Sequence, residues 1–357
     1  MLGSSAPGRY AFHPLMRGYA QGLPRTPADK ALWSRGLRDL FQHEISRLQL
    51  VSNALLPDGV AATMARSGPF TCEEAALNWL GDELPLLMDT LRHGVASDDA
   101  SDLGLTAFCE LLQRLLVLTD HWEHLRLCGE SLIEFSELHG DEAAASLGNR
   151  VLGSVFLHHG ELRAARRHAT RSRDLAHRLG DKVGEANALS LLGQVHGAEG
   201  SPDRAVRCLV EAVELFHSVD HLAGESLTCS YLGEQYLDAG RPREALRYLR
   251  RGKRLADKLR SADLVFVAIR LLSALHCTVG ATELAVLHGK RALELSAGRP
   301  SRHNRAKALL QLGLVLRGER RAEAVGYLMD AYALFREVGD HRRADLALAE
   351  HDACLGC

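Results

Sequence analysis

The sequence predicts an all-α protein built as a solenoid of stacked helix hairpins, and three observations carry that reading. The first is composition: 357 residues, 46% apolar, 25% charged and only 5% aromatic, a mix rich in Ala, Leu, Arg and Glu that suits soluble helices. The second is a forty-residue recurrence. Gly160, Gly200, Gly240 and Gly280 mark turns at equal spacing, preceded seven positions earlier by Gly153, Gly193, Gly233 and Ser273, with Gly313 continuing the series. The third is an alanine five positions after each turn glycine, at Ala165, Ala205, Ala245 and Ala285, then Ala324 one short of register.

Each forty-residue cycle reads as two helices. The first carries "LG" and, three residues later, Phe156, His196, Tyr236, His276 or Leu316 as a packing residue. A glycine breaks it, and Pro202 and Pro242 open the following helix, where proline sacrifices no hydrogen bond. The small residues let the paired helices approach closely, and hairpins that cannot bury their faces alone must stack. Ser172, Ala212, Gly252, Ala292 and Ala331, followed by Leu175, Leu215, Leu255, Leu295 and Leu334, extend the register along the second helices.

Residues 107–142 form a degenerate first cycle, and "RRADLALAEHDACLGC" at the C-terminus is expected to cap the array. Between residues 30 and 100 there is helical periodicity without the repeat. There, 32–56 reads as one helix and 69–96 as another, with Thr71 and Glu74 as an expected capping box. "RYAFHPLMRGYAQGL" (9–23) reads as a short amphipathic helix, and six of the ten prolines fall before residue 70. The expected division is 1–30, a terminal remnant and linker; 31–103, a helical adaptor; 104–343, the repeats; and 344–357, a capping helix and tail.

"LLGQVHGAEGSPDRAVRCLVEAVELF" (191–216) resembles the tetratricopeptide repeat, whose usual period is 34 residues. The extra six are expected to lengthen the second helix and its exit loop. The resemblance implies a right-handed helical solenoid of about six hairpins. Taken together, the "RYAFHPLMRGYA" element, the "PF…ALNWL" element and the forty-residue repeats resemble the C-terminal half of actinobacterial STAND regulators, including the SARP antibiotic-pathway activators. In that family the first element ends the winged-helix part of an NB-ARC nucleotide switch, and its histidine touches the phosphates of ADP. Here His13 holds that place, but Pro14 replaces the acidic residue after it. The phosphate-cradling G-x-x-x-x-G-K-[ST] loop appears nowhere in the chain, so no nucleotide or other cofactor is expected. His13 and Arg17 are expected to be a solvated pair.

Several chemistries fall away. The net charge of −2 points to neither nucleic acid nor membrane, and the most apolar run, 264–275, is short and holds Arg270. The opening residues lack the basic start and apolar run of a signal peptide, and eight scattered cysteines among apolar neighbours suit a reduced, cytoplasmic setting. No nucleophile–base order or carboxylate pair suggests an enzyme. His196 and His276 sit two repeats apart, adjacent His158 and His159 point different ways, and His121 and His124 lack partner ligands. The terminal His351, Cys354 and Cys357 read as a frayed tail, so no metal is expected. The stretch 241–260 carries nine basic residues against Glu244 and Asp257. It reads as a solvated outer face with an acidic partner as the alternative, and without a DNA-reading motif direct duplex binding is not expected.

The resemblance places a binding groove on the first helices, at positions flanking each "LG" glycine. In this sequence those are Arg150, Ser154, Asn187, Ser190, Gln194, Ser230, Glu234, Asp238 and Arg270. A non-catalytic regulatory scaffold that holds a protein or peptide there is the leading expectation. The alternative is a small-molecule accessory protein or enzyme of a biosynthetic pathway, which requires an enclosed apolar pocket between 72–146 and the array.

Overall fold

A computed structural model describes residues 2–6, 9–12, 26–55, 70, 72–97, 103–297 and 299–356. Among them are fifteen helices and one small hairpin of strands. Leu2–Ala6 (β1) and Arg9–Phe12 (β2) pair antiparallel, with Leu2 opposite Phe12 and Ala6 opposite Arg9. The start of the expected 9–23 helix is therefore extended, its main chain satisfied by the neighbouring strand; the rest, with His13, Pro14 and Arg17, lies outside the described residues.

Two long helices precede the array: α1 (Pro27–Leu55) and α2 (Glu73–Val95). Cys72, not Thr71, is the N-cap of α2, and no side chain caps it; Thr71 lies outside the described residues. Six hairpins follow: α3 (Leu105–Leu118) with α4 (Trp122–His139), α5 (Glu142–His158) with α6 (Leu162–Leu179), and α7 (Lys182–Ala198) with α8 (Pro202–Ser218). Then come α9 (Leu222–Asp238) with α10 (Pro242–Leu259), α11 (Ala262–Thr278) with α12 (Thr282–Ser296), and α13 (Arg302–Leu316) with α14 (Arg321–Glu337). The capping helix α15 (His341–Leu355) closes the array. One core runs from α1 and α2 into α3–α5, where Phe41 and Phe108 pack with ring centroids 5.2 Å apart, so the adaptor shares the first hairpins' interior.

The six extra residues of the cycle are helix, divided between both members of a hairpin. From α5 to α10 each helix has 17 or 18 residues, and only three separate Ser218 from Leu222, so the expected longer exit loop is absent. The turns work by backbone geometry. Gly160, Gly200, Gly240 and Gly280 hold φ between +68° and +79°, the left-handed region that glycine enters without a Cβ clash.

The "LG" glycines serve close packing instead. A Cβ at Gly193 would lie 2.5 Å from Leu209 Cγ and 3.2 Å from the Ala205 carbonyl; one at Gly233 would lie 2.6 Å from Leu249. Where serine replaces this glycine, the same crossing is used differently: Ser273 Oγ donates to the Ala285 carbonyl at 2.7 Å. Aromatic rungs tie hairpins across a twelve-residue separation, with Phe156 stacked on His168, Tyr236 on Tyr248 and His276 on His288. His276 is thus a packing residue, as its register position implies.

Candidate functional site: a closed solenoid and its inner wall

First helices of successive hairpins touch one another, α5 with α7, α7 with α9, α9 with α11 and α11 with α13. They form the inner wall, and the second helices form the outer one. Accumulated twist then brings the two ends together. Asp120, in the turn between α3 and α4, meets the start of α13: its Oδ1 accepts from Ser301 Oγ at 3.2 Å and its Oδ2 from the His303 main-chain N–H at 3.0 Å. The His158 ring stacks on Trp122, centroids 3.8 Å apart, and its Nε2 donates to the Val338 carbonyl at 2.9 Å. His303 lies 5.1 Å from His158, ring to ring, and its Nε2 is 3.7 Å from Asp340 Oδ2. Residues about 180 positions apart thus form one seam, which ties the α3–α4 turn and the end of α5 to the start of α13 and to Val338 after α14.

The seam's electrostatics follow from burial. Desolvation pulls His158 down to about 4 and His303 well below the usual imidazole value, with Lys307 and Arg343 adding repulsion at His303, so both rings are neutral. Ligand-capable atoms of His158, His303 and Asp340 lie within 4.8 Å of one another. However, Asp340 already accepts from the Arg343 main-chain N–H at 3.1 Å and from its guanidinium at 2.6 Å, and His158 Nε2 is given to Val338. A divalent cation would have to displace an arginine and enter a field set by Lys307 and Arg343, so this trio is better suited to locking the seam than to holding a metal. Beside it, a partly open cleft of about 430 Å³ is bounded by Leu77, Leu80, Thr119, His121, Pro300 and Glu337. It lies where a small-molecule reading requires a pocket, but it is neither enclosed nor predominantly apolar.

The groove residues that the repeat register picks out divide into two groups. Ser190 and Ser230 are buried and their hydroxyls are engaged: Ser190 accepts from Thr228 Oγ1 at 3.3 Å, and Ser230 donates to the Ser226 carbonyl at 3.2 Å. They pack the wall. Arg150, Ser154, Asn187, Gln194, Glu234 and Arg270 are half-buried, and Asp238 is exposed. Gln194 Nε2 donates to the Ser190 carbonyl at 3.4 Å, Ser154 to the Arg150 carbonyl at 3.1 Å, and Arg270 pairs with Glu234 at 3.4 Å. Although Asp238 is solvent-accessible as a residue, the protein around its carboxyl, with Glu234 nearby, raises it to about 6.

The structure adds residues that no sequence motif marks. Tyr231 from α9, Lys307 from α13 and Arg343 from α15 join Glu234 and Arg270 in one electrostatic cluster. Only Asp120 leaves a signal in the sequence: it interrupts the glycine series at the turn position forty residues before Gly160, and it holds φ +57° there.

On the outer face, α10 is less free than its sequence suggests. Arg241 pairs with Glu244, Arg251 with the buried Glu225, and Lys253 with Asp257, each at 2.7 Å. A shallow groove of about 530 Å³ remains between Arg243, Arg247, Arg250 and Arg254. Among the described residues no helix is long and apolar enough to cross a membrane.

Comparison with known proteins agrees with this architecture. The tetratricopeptide repeat family matches residues 142–217. No curated protein matches the chain in sequence. Among solved structures, the Rap protein complexed with competence and sporulation factor is similar at TM-score 0.52 and 13% identity, over 89% of this chain and 98% of that one. NprR in complex with its cognate peptide NprX gives TM-score 0.53 at 14% identity, over 74% of this chain and 83% of that one. A signal transduction ATPase with numerous domains carrying a tetratricopeptide repeat sensor, from Pyrococcus horikoshii, gives TM-score 0.50 at 12% identity, over 96% of this chain and 55% of that one. At such identities the likeness is one of fold: the chain is an all-α tetratricopeptide-type solenoid.

Proposed function

We propose that this chain is a non-catalytic regulatory module that binds a peptide, or an extended segment of a partner protein, inside its closed solenoid. The observation that carries the reading is the seam. It ties the α3–α4 turn to α13, and in this reading the inner wall so enclosed, with Asn187, Gln194, Glu234, Asp238 and Arg270 on it, holds the ligand. An extended peptide presents unpaired N–H and C=O groups along its length, and a wall of amides, hydroxyls and charges can satisfy them in sequence. Two proteins of similar fold, Rap and NprR, were captured with a bound factor or peptide, which makes the same use reasonable here.

The finer reading is that the module is related to the sensor half of STAND-type regulators. It rests on the order of elements in the sequence and the similarity to one STAND protein with a repeat sensor. An association with actinobacterial SARP-type control of secondary metabolism, action in the cytoplasm, and the division into adaptor, repeats and cap belong to the same proposal.

The test is affinity capture of a partner by the wild-type chain beside a triple variant, Asn187→Ala, Gln194→Ala, Glu234→Ala. Recovery by the wild type and loss by a variant that melts normally supports the lumen as the site. Equal recovery by both places binding elsewhere, and tight ATP binding by the purified chain would refute the non-nucleotide reading.

A further inference from the structure

We propose that the basic outer face of α10 docks on the acidic outer face of α4 in a second copy of this chain. Such a contact does not depend on what the inner wall binds. The chain itself carries both halves of it. Residues 70–142 hold sixteen acidic against three basic residues, whereas 241–260 hold nine basic against two acidic. The near-neutral total of −2 thus conceals two strongly opposed regions, one spanning α2 to α4 and the other α10. Opposed regions of this size draw two copies together in the orientation that pairs them.

On α10, Arg243, Arg247, Arg250 and Arg254 recur at alternating steps of four and three residues and so share one helix face. All four are exposed, and with Leu246 and Arg251 they line the groove of about 530 Å³. The carboxylates of α10 are already engaged, Glu244 by Arg241 and Asp257 by Lys253, and Glu225 beside it is held by Arg251. Arg247 lies over the Tyr248 ring, 4.8 Å from its centroid, and donates to the hydroxyl at 2.9 Å. Arg243, Arg250 and Arg254 make no ion pair or hydrogen bond with any described residue.

On α4, Glu123, Glu130, Glu134 and Glu137 share a face by the same spacing, and all are exposed. Arg126 pairs with the first two at 3.0 Å and 2.8 Å. Glu134 and Glu137 have no cationic partner among the described residues, and Leu138 beside them is 62% exposed. Like charges three and four residues apart weaken the helix that carries them, so each stripe is unfavourable in the monomer. Docking supplies each with counter-charges and lets Leu138 lie against Leu246 and the aliphatic stems of the arginines. A nucleic acid or a foreign acidic protein would satisfy α10 alone and leave the α4 face unmatched.

Because the two faces differ, a copy that offers its α10 keeps a free α4, and association extends beyond a dimer unless the rotation closes a ring. Sedimentation velocity of the full chain tests this at about 0.1 M and about 1 M salt, where exposed charges are screened beyond about 10 Å and about 3 Å. One variant carries Arg243→Glu, Arg250→Glu and Arg254→Glu; the other carries Glu130→Lys, Glu134→Lys and Glu137→Lys. The wild type should associate at the lower salt and lose affinity about tenfold or more at the higher, as for several exposed pairs weakened together. Each variant by itself should be monomeric. An equimolar mixture of the two should associate again, since the reversed α10 of one then meets the reversed α4 of the other. All six substitutions fall on exposed positions, and unchanged melting temperatures separate lost association from lost folding.

A wild type that is monomeric at both salts, oligomers indifferent to either reversal, or a mixture that stays monomeric would overturn the contact. Polyglutamate and a duplex oligonucleotide are titrated onto the same proteins. Saturable binding of either by a monomeric wild type, lost in the arginine variant, would overturn the second copy as occupant and assign α10 to that class of partner. None of these outcomes bears on the inner wall, so the peptide reading stands or falls by its own test.

Discussion

The carboxylate of Asp120 accepts the main-chain N–H of His303 at 3.0 Å across 183 positions of sequence, joining the first hairpin to the sixth. Asp120 does this from a left-handed turn conformation that glycine occupies at the equivalent positions of later repeats. A side chain is retained where a glycine would be easier, and what it gains is the seam.

Replacing Asp120 should therefore separate strain from closure. Asp120→Gly relieves the backbone and removes the carboxylate; Asp120→Asn keeps the backbone strain and weakens the acceptor. If the seam bonds outweigh the strain, both variants lose stability, by about 1–3 kcal/mol, because the buried His303 N–H and Ser301 hydroxyl lose an acceptor. Urea unfolding measures the loss, and small-angle scattering should show an expanded particle. A stabilised Asp120→Gly of unchanged dimensions would mean that the seam contributes nothing.

Acid should also open the seam. His158 is pulled to about 4 from an ordinary 6.5, and His303 is depressed as well, so the folded state binds fewer protons than the unfolded one between these values. The stability is present above pH 6.5 and is lost as pH falls through about 4. His158 alone accounts for up to about 3 kcal/mol, since each tenfold difference in proton affinity between the folded and unfolded chain corresponds to about 1.4 kcal/mol. The facing groups are His159, His303, Lys307 and Asp340; Asp120, whose pKa burial raises, works in the opposite direction. In urea melts from pH 8 to pH 4, His158→Gln, which still donates to Val338 but does not titrate, should flatten the profile. An unchanged slope would show that His158 plays no part in the acid response.

The two kinds of repeat glycine should fail differently. Gly193→Ala places a methyl 2.5 Å from Leu209 Cγ in a closed interface, and the overpacking should cost about 1–3 kcal/mol. Gly200→Ala meets no atom within 4 Å but must hold φ +74°, which should cost about 1–2 kcal/mol. A Leu209→Ala background should rescue Gly193→Ala in part and leave Gly200→Ala unchanged. Equal responses in that background would show that the distinction is misplaced.

The repeat is legible in the sequence because it is local. A glycine needed for positive φ, a small residue needed at a crossing and a proline at a first helical position each leave a mark at fixed spacing, and Gly200, Ala205 and Pro202 do so within a single hairpin. The seam is not legible, because closure sums small rotations over six hairpins and no single residue records the sum. Adjacent His158 and His159 carry no sign that Val338 and His303 arrive beside them. Lys307 and Arg343 look like ordinary helix-surface charges until the capping helix brings them together. Ser190 and Ser230 show the converse: register places them at groove positions, yet Thr228 of the next first helix donates to the Ser190 hydroxyl and the Ser230 hydroxyl donates back to the Ser226 carbonyl of its own helix. Arg9–Phe12 begins a stretch with a helical pattern of apolar residues, yet it is a strand because Leu2–Ala6 supplies a partner for its main chain.

Site-specific photocrosslinking in extract from cells that express the chain tests the proposed inner-wall site without any intermediate step. A benzophenone amino acid replaces Asn187 on the inner wall or, in a second protein, Arg163 on the outer helix α6. A lumen that holds a peptide yields one discrete adduct from position 187, competed away by excess unlabelled chain, and none from position 163. Adducts from position 163 alone would place binding on the outer surface and refute the lumen as the site.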